Sequence, residues 1–326
     1  SNILYPRVSG AWVISEEPFF PSLGWLGALK LRGAYGVSGL HPGPLDALQY
    51  YVATPVLVGA ADVPGITLGN LGNSKLKPER TKEVEFGFDA DFRPLAAHLG
   101  FTFFNKVSED ALINVTLPPS CGCGTSIFRN LGSVGNKGVE ISATASLVRK
   151  RDVQFDLSAS AWGTQSRVKD LGQDIAPIIF GLGGATQRMQ VGYAPGSYFQ
   201  RPYTFADSNG NGLLSLNEVV LGSTATFQGQ PFPDHGGTVS GTITLYQRLH
   251  LYGLVDGRFG NKLFNSTEQF RCGLANCKAR NDPDATLEEQ AAAVANIKGT
   301  QAGYMEDADF IKLREPGQEA RSVEAI

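Results

Sequence analysis

The sequence is poor in what marks a soluble enzyme or a nucleic-acid binder. Charged residues make up only 18% of it, and its 28 basic and 31 acidic side chains form no basic stripe, so nucleic acid is excluded as a partner. The histidines, His41, His98, His235 and His250, are scattered and stand in neither an H-E-x-x-H nor a G-x-S-x-G context. No catalytic constellation forms, and no enzyme is read here. No run of about 18 apolar residues occurs, which excludes a membrane-crossing helix. It does not exclude crossing by strands, whose apolar positions come in short alternating segments. The amino end, Ser1-Asn-Ile-Leu-Tyr-Pro-Arg, has no initiator methionine and no basic region followed by an apolar stretch, so the chain reads as a fragment.

What the sequence has is alternation. From Lys82 to Phe92, Val84, Phe86, Phe88, Ala90 and Phe92 fall on one side and Glu83, Glu85, Gly87, Asp89 and Asp91 on the other. Alternate side chains of a strand point to opposite faces, so this strand has an apolar wall and an acidic wall. Its length suits a tilted membrane strand of about 9–11 residues better than a soluble strand of about 5–6. Strand-like segments recur at 6–15, 28–38, 97–107, 137–149, 152–168, 197–206, 238–249, 250–260 and 308–314. Their polar members are mostly Ser, Thr, Asp and Glu, as a hydrated interior requires. Glu83, Glu85, Asp89 and Asp91 share one strand face, and a polar wall explains them better than paired catalytic acids.

Connector lengths alternate too. Tight turns such as Arg93–Ala97 and Arg149–Asp152 are set against long polar stretches at 39–81, 108–136, 169–196, 207–237 and 261–307. Loops beyond about 12–15 residues are uncommon in compact domains unless they carry function. Short turns at one end and long loops at the other predict an all-β fold. The expected architecture is an antiparallel transmembrane β-barrel with long extracellular loops. Trp12, Trp25, Tyr35, Trp162, Tyr246 and Tyr252 are candidates for interfacial girdles, the alternative being ordinary core or turn aromatics. In the last long loop Thr286 and Glu289 form a capping box for a helix over Leu287–Ile297.

Four ordered stretches carry a family resemblance. Leu68-Gly-Asn-Leu-Gly-Asn-Ser-Lys-Leu-Lys-Pro-Glu-Arg-Thr81, running into the Lys82–Phe92 strand, resembles the "GNPxLKPERT" passage of TonB-dependent receptors of the SusC/RagA-like group. Pro6–Glu17 with Leu29–Gly36, Asn130–Ile141 and Tyr304–Glu315 resemble further segments of the same group in the same order. The resemblance implies a partial receptor barrel over 1–315, roughly 8–11 strands of a larger barrel, with the amino-terminal plug and the final strands absent and 316–326 a tail unlike the family. It implies TonB-dependent active transport of a nutrient, such as an oligosaccharide or peptide, across the cell outer membrane into the periplasm. The implied partners are outer-membrane lipid, the TonB complex through the missing amino-terminal part, and a SusD-like surface lipoprotein. The alternatives are a passive porin, or a soluble calcium-stabilised β-protein used in surface adhesion.

One motif offers a metal site. Asp207-Ser-Asn-Gly-Asn-Gly-Leu-Leu-Ser-Leu-Asn-Glu218 fits the calcium-loop pattern D-x-[DN]-x-[DN]-G-x5-E. Asp207, Asn209, Asn211, the Leu213 carbonyl, Ser215 and Glu218 are the candidate ligands, and calcium is the candidate cofactor. With only two formal charges the expected affinity is weak, about 10⁻⁴–10⁻³ M. The other reading is an Asn/Gly-rich turn without metal. Cys272 and Cys277 are the candidate disulfide in an oxidising setting, and the pairing of Cys121 and Cys123 is left open.

Overall fold

A computed structural model describes residues 4–59, 61–116, 126–130, 132–172, 176–181 and 186–314. Nine of the alternating segments pair into one antiparallel sheet in which each strand lies beside the next in sequence. They are β1 (Arg7–Val13), β2 (Leu26–Leu40), β3 (Glu79–Phe92), β4 (Ala97–Glu109), β5 (Ser133–Arg149), β6 (Val153–Asp170), β7 (His235–Leu245), β8 (Leu249–Phe259) and β9 (Phe310–Arg314). The sheet is open, with β1 and β9 at its edges. The expected tail 316–326 lies outside the described residues.

An up-and-down order sends alternate connections to opposite ends. Residues 14–25, 93–96, 150–152 and 246–248 make the turns at one end, and 41–78, 110–132, 171–234 and 260–309 make the loops at the other. Four long loops stand where five were expected. The segment 197–206 is no barrel strand: Ser197–Gln200 and Tyr203–Phe205 belong to two separate small sheets inside the 171–234 loop. Pro202 breaks the segment, since proline has no N–H for a ladder, and all four residues of Ser197–Gln200 are buried where a barrel strand would alternate.

Register carries the two walls across the sheet. Ala34, Glu85 and Phe104 share one row, as do Arg32, Gly87 and Thr102; Tyr35, Val84 and Asn105 belong to the opposite face. The apolar face is bare. Phe86 is 54% exposed, Val239 49% and Val255 41%, and no second layer packs on this face among the described residues. A soluble sandwich would cover such a surface, at about 25 cal/mol per Å² of apolar area. On β3 the apolar stretch from Phe92 to Val84 measures about 27 Å along the strand. At a tilt of about 40° it stands about 21 Å tall, close to the apolar band of outer-membrane barrels. Beyond Val84 the same face turns charged, with Lys82 Nζ 2.7 Å from Glu109 Oε2.

At the turn end Trp12 lies 5.9 Å from Phe19 and Trp25 stacks at 5.8 Å on Phe92. Two other girdle candidates are corrected by register. Trp162 pairs with Glu140 and Gly236, and Tyr252 with Thr242, so both belong to the polar face. Since side chains alternate with a period of two, one residue of offset moves an aromatic from one wall to the other.

The buried apolar clusters lie among the loops. One joins Cys272, Cys277, Ala292, Ala293 and Tyr304; another joins Val219, Ala291 and Ala295. A third forms where a loop meets the sheet, around Val168 and Leu171.

Candidate functional site

The polar wall is a network of short reaches between neighbouring strands. Arg32 on β2 crosses the whole of β3. Its Nη2 donates to Thr102 Oγ1 at 2.6 Å and to the Phe101 carbonyl at 3.3 Å, and its Nε lies 3.4 Å from Asp89 Oδ2. Gly87 stands between Arg32 and Thr102 in the row, and a Cβ there would run into the Phe101 carbonyl. The glycine therefore leaves the space the guanidinium spans. Near the turn end His98 Nδ1 meets Asp91 Oδ1 at 2.8 Å, and further round Thr238 Oγ1 donates to Asp256 at 3.3 Å. The expected acids Asp89 and Asp91 thus sit in pairs with cations or imidazole, in keeping with a wetted wall.

Above this wall two long loops are built into one unit. The calcium-pattern segment joins the strands Tyr203–Phe205 and Val219–Leu221, which pair with each other. Asp207 Oδ1 accepts the N–H groups of Gly210 (2.8 Å) and Asn211 (3.2 Å), and its Oδ2 that of Gly212 (2.8 Å). Asn209 accepts from the Asn211 N–H and Asn211 from the Leu213 N–H. Glu218 closes the loop. Its Oε2 accepts from the Ser215 N–H and hydroxyl at 2.9 and 2.8 Å, and its Oε1 from the Ser208 N–H and hydroxyl at 3.0 and 2.9 Å. The Ser215 N–H, then the serine hydroxyls, pull the Glu218 carboxyl down to about 2. Both carboxylates are satisfied by the loop's own donors, so a cation entering here would compete with Ser208 and Ser215 for Glu218.

The 260–309 loop supplies the other half. It carries helices α1 (Ser266–Gly273), α2 (Lys278–Asn281) and α3 (Leu287–Ile297). The Thr286 and Glu289 capping box starts α3, with Glu289 N donating to Thr286 Oγ1 at 3.2 Å and Thr286 N to Glu289 Oε2 at 2.9 Å. Gln290 on α3 is 5% exposed and clamps the loops together. It donates to the Gly212 carbonyl at 3.0 Å and to the Ala285 carbonyl at 2.9 Å, and accepts from the Leu214 N–H at 2.9 Å. Lys298 Nζ donates to the Leu216 and Val219 carbonyls. Cys272 and Cys277 are joined by a disulfide, with Cα atoms 4.8 Å apart, beside Ala292 and Tyr304. Burial pushes the Tyr304 phenol up to about 12. Cys121 and Cys123 lie outside the described residues.

Neither Arg32's crossing of β3 nor Gln290's clamp was singled out in the sequence. Gly87, the one unsubstituted position in the acidic row of β3, was a signal for the first. Nothing local pointed to the second, because its partners lie 76 and 78 residues away.

An apolar-out, polar-in meander with its long loops at one end is the outline of an outer-membrane barrel wall, and the sequence comparison agrees. Residues 1–304 match the family described as TonB dependent receptor-like, beta-barrel. The chain belongs to that family. It is 26% identical over 349 residues to TonB-dependent receptor P26 of Formosa agariphila, covering 95% of this chain and 34% of the relative. It is 26% identical over 264 residues to TonB-dependent receptor SusC of Bacteroides thetaiotaomicron, covering 70% of this chain and 26% of SusC. The fold is similar to a chain of the RagAB peptide importer in its closed-closed state, with a TM-score of 0.75 at 19% identity over 95% of this chain and 36% of that one. This barrel segment spans about a third of the length of the curated relatives it matches. Members of the family are outer-membrane receptors rather than enzymes, and the bare apolar face is the surface such a barrel turns to lipid.

Proposed function

We propose that this segment is barrel wall and extracellular loop from a receptor that takes up a nutrient across the outer membrane, using energy delivered through TonB. The supporting observation is the sheet itself: apolar outward, hydrogen-bonded and polar inward, with loops braced above the mouth. On the same reading the loops meet a SusD-like surface lipoprotein, and the cargo is a peptide or oligosaccharide, since RagAB is a peptide importer by name. The test compares entry of fluorescent peptide and oligosaccharide pools into cells with and without the gene, each with and without a protonophore. Gene-dependent entry that the protonophore abolishes supports the reading. Entry that is indifferent to the protonophore would make the protein a passive pore.

The Asp207–Glu218 loop is proposed as a weak calcium site, with Asp207, Asn209, Asn211, the Leu213 carbonyl, Ser215 and Glu218 as ligands. Calorimetry at millimolar calcium tests it, and the absence of a heat signal that Asp207→Ala removes would reject it.

A further inference from the structure

The 171–234 loop holds a cation, Arg188, that has no counter-charge among the described residues. Register places Val168 on the polar face of β6, in line with Ser160, Trp162, Thr164 and Ser166. Val168 and Leu171 pack with Ile178 and Met189 of a four-stranded loop sheet (Ile178–Phe180, Gln187–Met189, Ser197–Gln200, Thr226–Gly229), so that sheet folds onto the inner wall. Met189 and Arg188 are neighbours on one strand and point to opposite faces. With Met189 packed against Val168 and Leu171, Arg188 belongs to the face of the loop sheet turned away from that contact.

Arg188 has an aromatic bed there. Its guanidinium carbon lies 5.1 Å over the Phe199 ring. Tyr193 stands 5.0 Å from Phe199 and 5.2 Å from Phe227, which is 45% exposed and leaves the cluster open on one side. Arg188 Nε is shielded from solvent and makes no hydrogen bond, and no carboxylate pairs with Arg188 among the described residues. Arg32 and Arg258 on the wall, by contrast, have Asp89 and Asp256. Taking a cation partly out of water without a partner is costly, and such a group marks a place where a ligand completes the set. A planar guanidinium backed by a ring presents paired N–H donors in the geometry of a carboxylate.

We propose that Arg188, Tyr193 and Phe227 form a cargo subsite for a carboxylate carried on a polar chain. A peptide's free carboxyl terminus and a uronic acid share that chemistry. The proposal rests on the uptake reading, and binding, which needs no energy source, tests it separately.

Calorimetry on the protein purified from outer membranes would use tetra-alanine and its C-terminal amide, and trigalacturonate and its methyl ester. We expect one acid to bind about tenfold tighter than its neutral twin, as a charge-assisted bidentate contact provides. Arg188→Gln should erase that preference, bringing the acid's affinity down to that of its neutral twin, and Arg188→Lys should restore part of it. Whichever acid is preferred identifies the source. The subsite is overturned if neither acid is preferred, or if the preference survives Arg188→Gln. Heat-modifiable migration on gels shows whether each variant is folded, and Arg188→Lys carries the test if Arg188→Gln is not. Charge preference without protonophore-sensitive entry would sink the transport reading and leave the subsite standing.

Discussion

Val239 and Ser240 are adjacent on β7 and belong to opposite faces, so one charge placed at each in turn measures what each face touches. Val239 lies mid-strand between Ala159 of β6 and Val255 of β8, 49% exposed on the apolar face. Ser240 pairs with Ser158 and Leu254 on the polar face. An arginine at a lipid-facing position near the bilayer midplane costs about 2–4 kcal/mol. That shifts the folding equilibrium by about thirtyfold to several-hundredfold. Facing a wetted lumen, the same side chain costs within about 0.5 kcal/mol, as at ordinary surfaces. Val239→Arg should therefore lower the urea midpoint of the membrane-inserted protein and its abundance in outer membranes, with Ser240→Arg close to the parent. Gel migration of unheated samples reads the folded fraction at each urea concentration. Equal effects at the two sites, or the larger effect at Ser240, would refute the assignment of faces and with it the membrane reading of the sheet.

Gln290→Ala removes three hydrogen bonds, one buried and two partly buried, between α3 and the surrounding loop backbone. It should loosen the loop unit by about 2–4 kcal/mol, seen as faster hydrogen exchange over 207–221 with the sheet unchanged. Glu218 titrates near 2 instead of the usual 4.5, so its stabilisation is complete above 4.5 and declines as pH falls towards 2. Protease resistance of the 203–221 hairpin should hold from pH 7 to 5 and fall below about 4.5. Glu218→Gln should flatten that dependence, and an unchanged acid profile would show that other groups govern it. Replacing both Cys272 and Cys277 by serine should cost the loop about 2 kcal/mol, the chain-entropy value for so short a ring. The measurement is local hydrogen exchange, and a loss of barrel assembly would contradict the separation of loop core from sheet.

How much was legible follows from the range of each interaction. The strict alternation of Lys82–Phe92 determined β3, its two walls and its membrane length, because strand periodicity is local. Alternating connector lengths determined the two unequal ends. The Thr286–Glu289 box determined where α3 begins, since both partners lie within one turn. The segment 197–206 misled because short apolar stretches look alike whether they join a large sheet or a small one. Pro202 was the local warning.

The sequence by itself therefore determined the nine strands of the large sheet, their face polarity and the membrane as solvent, all properties of spacing along the chain. Trp162 shares the parity of Ser158 and Ser160 in its own strand, whereas Tyr252 lies in a weakly alternating strand and only its pairing with Thr242 decided its wall. Tertiary structure alone brought Gln290 to Gly212 and Arg32 across Gly87 to Thr102. It also left Arg188 on an aromatic bed with no carboxylate partner among the described residues, since a counter-charge is a property of a surrounding volume and has no period along the chain.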